Sequence, residues 1–176
     1  SFFSKKWHSH FPTLPLQSST PVGESHTTPP VSIENLRSCY EKVGGVVYFG
    51  RMLAKIRLFE SGNLPVEYHD NLGKGFDDRC AEFLRGPYDE IRDQTLEGRS
   101  DEEILKWCFE KGGLRTPTEI MYWNGFMIKR GWRDMATEGL DARKQSSGMA
   151  DRDDIQTFFD QIEVDEGRTP PAPPHT

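Results

Sequence analysis

Between residues 32 and 168 apolar side chains recur at helical spacing, and glycines or capping signals interrupt them at intervals. Residues 46–61 carry Phe49, Met52, Leu53, Ile56 and Phe59 at that spacing, and the run lies between Gly44-Gly45 and Gly62-Asn63. It predicts the central core helix. Further helices are predicted at 76–84, burying Phe76, Cys80 and Phe83, and at 88–96 after Gly86-Pro87. Ser100-Asp101-Glu102-Glu103 has the form of a capping box, a serine hydroxyl on the third amide with a glutamate reaching back, so 101–111 should be helical until Gly112-Gly113. Thr116-Pro117-Thr118-Glu119 repeats the device with proline in the first turn and opens a helix to about residue 130. A weaker helix is predicted at 132–145. A last one is capped by Asp151 with Asp154 and carries the stripe Ile155, Phe158, Phe159 and Ile162. The pattern predicts neither a repeat nor a hairpin. The expected fold is all-α, a single compact multi-helix bundle of about six to seven helices.

The periodicity stops at both ends. Residues 1–31 are rich in Pro, Ser and Thr, the composition of a segment that builds no core of its own, and residues 169–176 form a Pro-rich C-terminal tail. Yet Phe2, Phe3, Trp7, Phe11, Leu14 and Leu16 are too apolar for a plain solvated linker. Spaced anchors of this kind suit a strap laid on another surface, either the helical domain or a neighbour.

Charge narrows the partners. Residues 32–168 hold 20 Lys+Arg against 27 Asp+Glu, and residues 1–31 hold 2 against 1. An acidic domain disfavours nucleic acid, whose phosphates need a basic surface. No apolar run approaches the ~18 residues of a membrane span. Cys39, Cys80 and Cys108 match neither a disulfide framework nor a paired metal box, so free buried thiols in the cytoplasm or another reducing interior compartment are expected. Only His69 of the five histidines lies in the domain, which leaves little for a histidine-based metal or catalytic cluster.

Polar residues on apolar faces mark the candidate site. On the helix of residues 46–61 Lys55 and Arg57 flank the apolar stripe, whereas Glu60 falls on it and needs a partner, with Arg57 the local choice. A half-buried ion pair is one reading; a charged pocket for an anionic or carbonyl ligand, drawing on Arg51, Lys55, Arg57, Glu60 and Asn124, is the other. Asn124 sits among Ile120, Trp123, Met127 and Ile128, so its amide should point inward and must be hydrogen-bonded. Trp107, Trp123 and Trp132 are core by default. Gly73-Lys74-Gly75 lacks the Ser/Thr and the preceding strand of a phosphate loop, although a helix N-terminus there could still attract an anion. Asp151-Arg152-Asp153-Asp154 is explained by capping, and no metal or cofactor is expected.

The stretch Gly44-Gly45-Val46-Val47-Tyr48-Phe49-Gly50-Arg51-Met52-Leu53-Ala54-Lys55-Ile56-Arg57 resembles the leading motif of the bacterial domain-of-unknown-function family number 5069. Tyr68, Phe76-Asp77, Phe83-Leu84, Trp123-Asn124 and residues 151–159 extend the resemblance over about 32–168. That family often places an acidic residue before the lysine, where this chain has Ala54, so no carboxylate role carries over there. The resemblance implies a bacterial or bacterially derived intracellular protein and supplies no activity or catalytic residues.

Two functions are therefore expected to compete. One is a non-catalytic interaction protein, an accessory or adaptor subunit docking through its helical domain and its N-terminal strap to a protein partner or a second copy. The alternative is a small-molecule binding protein or enzyme built on the five polar residues above.

Overall fold

Val43 and Val46 flank two glycines that both take positive φ, 54° at Gly44 and 86° at Gly45, the backbone that a two-residue type I′ turn requires. In the computed structural model, which describes residues 33–172, this turn joins β1 (Lys42–Val43) to β2 (Val46–Val47) in a short antiparallel hairpin. The hairpin corrects the reading of residues 46–61 as one helix. Helix α1 (Phe49–Glu60) begins only after Tyr48, which caps it in the left-handed region at φ 69°. A non-glycine residue there costs ~1–3 kcal/mol. Tyr48 is held in place by its amide donating to the Cys39 carbonyl at 3.1 Å and by its ring lying against Phe76 and Phe159.

After α1 a 3-10 turn (Val66–Asn71) leads to α2 (Phe76–Leu84), α3 (Tyr88–Leu96), α4 (Asp101–Gly112), α5 (Pro117–Lys129), α6 (Thr137–Ser146) and α7 (Phe158–Asp165). The boxes foreseen at α4 and α5 are both formed: Ser100 and Glu103, then Thr116 and Glu119, exchange hydrogen bonds of 2.7–3.3 Å. The last box is displaced. Asp154 is engaged by the Arg152 guanidinium at 2.6–2.7 Å, and Thr157 with Asp160 caps α7 instead. Likewise α6 starts five residues later than its pattern suggested, because Asp134 accepts from the Gly131 and Ala136 amides and closes a local turn that competes with helix.

Helix α1 is the axis of the core. From Phe49 to Ile56 every residue is buried, with the hairpin and α3 among its neighbours and Leu84, Ile91, Ile104, Met127 and Phe159 completing the main cluster. Each large side chain so buried contributes ~1.5–3 kcal/mol. Gly50 serves this packing, since a Cβ there would come within 2.6 Å of the Arg37 guanidinium, which crosses α1 to reach Asp101. The result is a compact, mostly helical fold whose small sheet is confined to the hairpin.

Candidate functional site

A helix buried all round carries its charged residues inside with it. Arg51 and Lys55, one turn apart on α1, are each only 3% exposed, and a buried charge must be paired and hydrogen-bonded. Two separate clusters meet that demand.

The Arg51 guanidinium forks onto the Glu166 carboxylate at 2.5 and 2.9 Å and also donates to the Arg37 carbonyl at 2.9 Å. Glu166 accepts in addition from the Tyr68 hydroxyl at 2.8 Å and from Arg168. Arg168 reaches Glu163 at 2.5 Å, and Glu163 accepts the Cys39 amide at 2.8 Å. Burial alone would push the Glu166 carboxyl up; the Arg51 hydrogen bonds and charge, the Tyr68 hydroxyl and Arg168 outweigh it, and the carboxyl lies below its ordinary range.

In the second cluster Lys55 Nζ lies 2.7 Å from Asp77 Oδ1 and donates to the Tyr48 hydroxyl oxygen at 3.2 Å, while Tyr48 donates to Asp77 at 3.0 Å. The Gly73 amide donates to the other carboxylate oxygen at 3.1 Å, so the Gly73-Lys74-Gly75 loop already holds an internal anion. A lysine, a phenol and a carboxylate in mutual contact form a set through which a proton can pass. Asp77 is nevertheless wholly buried, and burial pushes the Tyr48 phenol well above its ordinary range. A cavity of about 440 Å³ and another of about 260 Å³ lie over α4, and no residue of either cluster lines them.

Among the described residues, the five positions singled out from sequence share no hydrogen-bond partner with one another. Arg57 pairs with Asp101 at 2.6 Å and donates to the Arg99 carbonyl at 3.1 Å. Asn124 is half-buried and clasps the hairpin, accepting from the Val47 amide at 3.1 Å and donating to the Gly45 carbonyl at 2.8 Å. Glu60 is exposed, contrary to the helical-wheel placement. The wheel failed because α1 has no single apolar face until its last turn, where the helix emerges from the core and Phe59 and Glu60 both meet solvent. The strap residues Phe2, Phe3, Trp7, Phe11, Leu14 and Leu16 lie outside the described residues. Among the tryptophans Trp123 is buried and stacks on Phe83, whereas Trp132 is exposed. All three cysteines are free and buried.

Sequence reasoning missed the acidic halves of both clusters. Asp77 reads as an ordinary first-turn acid of α2, and Glu163, Glu166 and Arg168 lie where the last helix runs out into the tail. Only the family resemblance at Tyr68 and Phe76-Asp77 pointed to that region.

A different feature lies on the surface. Helix α5 is apolar around most of its circumference: Trp123 and Met127 face the core, while Met121, Tyr122, Gly125 and Phe126 form a continuous outer face. Tyr122 is 67% exposed, Met121 60% and Phe126 40%. Among the described residues, a Cβ built on Gly125 meets no atom within 4 Å.

No curated protein and no solved structure matches the chain. The model of the family described as domain of unknown function DUF5069 matches residues 33–168, the stretch that carries α1 with both buried clusters and α5, and the chain belongs to that family.

Proposed function

We propose that the chain is a non-catalytic interaction protein, an accessory or adaptor subunit that docks an apolar helix of a protein partner on the outer face of α5. The observation that carries this reading is Gly125. A glycine inside a helix costs about 0.8–1.0 kcal/mol relative to alanine, and among the described residues nothing occupies the space it leaves. Bare backbone at the centre of an exposed patch of Met121, Tyr122 and Phe126 suits the close approach of a second helix, which packs at interaxial distances of about 8–10 Å. No observation favours the alternative of a small-molecule pocket, because Arg51, Lys55, Arg57 and Asn124 each have partners of their own and Glu60 stands in solvent.

The test is site-specific photo-crosslinking from position 121 of the 176-residue chain in its native cell extract, with Tyr122→Glu and a charge change on exposed α6 as controls. One partner crosslinked by the parent and by the α6 control, and lost from Tyr122→Glu, is the expected outcome. Crosslinks unchanged by Tyr122→Glu, or none at all, would sink the reading. Light scattering then distinguishes a second copy from a different protein.

A further inference from the structure

We infer that the helix docked on α5 is the α5 of a second copy of this chain, packed antiparallel about a two-fold axis. The inference rests on the reading of the outer face of α5 as a docking surface and names what fills it. It begins from the order of side chains along that face. At about 100° per residue, Thr118, Met121, Tyr122, Gly125 and Lys129 fall within an arc of about 100°, with Phe126 at its edge. All six are exposed.

A two-fold interface joins a patch to itself, so each projecting side chain must meet a hollow of the same patch. The α5 face meets that condition. With the axis passing between positions 123 and 124, Tyr122 of each copy lies opposite Gly125 of the other, and Met121 lies opposite Phe126. Tyr122 is 67% exposed and projects furthest, while Gly125 offers bare backbone with open space above it among the described residues. The ring seats on the glycine, and the Met121 sulfur meets the Phe126 ring. By symmetry each contact is made twice.

Charge selects the same pairing. Lys129 stands at the C-terminal end of the face and pairs with no carboxylate among the described residues. Arg79 and Arg130 lie over the Phe126 ring at 5.7 and 5.4 Å, and although Asp134 also holds Arg130, they leave this end basic. The other end carries Glu119, where one carboxylate oxygen accepts the Thr116 amide at 2.7 Å and the other lies only loosely beside Arg85 at 3.6 Å. The two-fold axis that sets Tyr122 on Gly125 also sets Lys129 opposite Thr118, one residue from Glu119. The ammonium then reaches the loosely held oxygen. Antiparallel packing also brings opposite ends of the two helix dipoles together, whereas a parallel pair would set Lys129 against Lys129. A second copy therefore supplies both the shape and the charge that this face requires.

Sedimentation equilibrium of the purified 176-residue chain between about 1 and 100 µM tests the inference, since a single helix pair is a small interface of micromolar strength. Gly125→Leu fills the hollow and strengthens the helix, so the fold survives it, as an undiminished urea midpoint will show. A monomer–dimer equilibrium in the parent, with a Kd raised tenfold or more in Gly125→Leu, is expected. Carbodiimide coupling of mixed light and nitrogen-15-labelled chains, read by mass spectrometry, then locates the contact. Glu119 and Lys129 are ~15 Å apart along one helix, too far for a zero-length link, so an amide joining them in light–heavy hybrids is the expected product. The inference is overturned if Gly125→Leu dimerises as the parent does, or if the hybrids lack that link. A parent that stays monomeric also overturns it. In that case a crosslink from position 121 that Tyr122→Glu abolishes keeps the docking face and assigns it to a different protein, and loss of that crosslink as well removes both readings.

Discussion

At the scale of single residues, the decisive facts are the charges that α1 takes into the core. Lys55 is almost wholly buried, and among the described residues Asp77 and the Tyr48 hydroxyl are its hydrogen-bond partners. Removing one partner of such a pair leaves an uncompensated buried charge, which typically costs ~3–5 kcal/mol, whereas replacing both with apolar residues is often close to neutral. Asp77→Ala should therefore destabilise the fold by about that amount, and Lys55→Met/Asp77→Leu should recover most of the loss. Urea unfolding of the two variants checks this. A double variant no more stable than Asp77→Ala would mean that the cluster is held by packing rather than by charge. Of the cluster, Lys55 was visible in the sequence as a charge beside an apolar stripe. Its partner was not, because the pairing spans 22 residues and depends on how α2 is laid against α1.

Among the elements, α5 is the one whose composition and environment disagree. Its start was legible to the residue, since the Thr116 box and Pro117 are local hydrogen-bond chemistry. Its inner face was legible too. The outer face was not: an apolar residue on the far side of a helix reads equally as core or as surface until the neighbouring helices are placed, and among the described residues none covers Met121 or Tyr122. Gly125 gives this scale its prediction. Alanine fits the open space without strain, so Gly125→Ala should stabilise the isolated chain by about 0.8–1.0 kcal/mol, read from the urea midpoint at unchanged slope. If the docking reading holds, the same substitution weakens the crosslink from position 121. Stabilisation with an undiminished crosslink would place the partner elsewhere. The boundaries of α1, α6 and α7 were misread for the opposite reason, because a left-handed Tyr48, a turn closed by Asp134 and the Arg152–Asp154 pair override the local pattern.

At the scale of the whole molecule, the Arg51 cluster ties the two ends of the fold together. Glu166, just after α7, meets Arg51 on α1, and Arg168 pairs with Glu166 and donates to the Leu36 carbonyl at 3.3 Å. A carboxyl whose folded value lies below its ordinary value binds protons more readily in the unfolded chain, so it contributes stability above that ordinary value and loses it as pH falls through the folded one. Glu166 starts from an ordinary value of 4.5 and is lowered. The stability difference between the parent chain and Glu166→Gln should accordingly be full near neutral pH and shrink as pH drops below about 4.5. Urea titrations at a series of pH values measure it, and a difference that stays constant would show that the clasp works through shape alone.

The sequence by itself determined what depends on near neighbours. It set the mostly helical class, the caps of α4 and α5, the limits of α2 and α3, the inward Asn124 and the absence of any helix long and apolar enough to cross a membrane among the described residues. Tertiary structure alone decided which carboxylate meets Arg51 and which meets Lys55, where Glu60 emerges, and which apolar residues of α5 are left uncovered. The division follows from the range of the interactions. Caps, turns and helical periods act over three or four residues, and the chain records them directly. Burial and charge pairing act across 22 to 115 residues here, and they exist only once the helices have been packed.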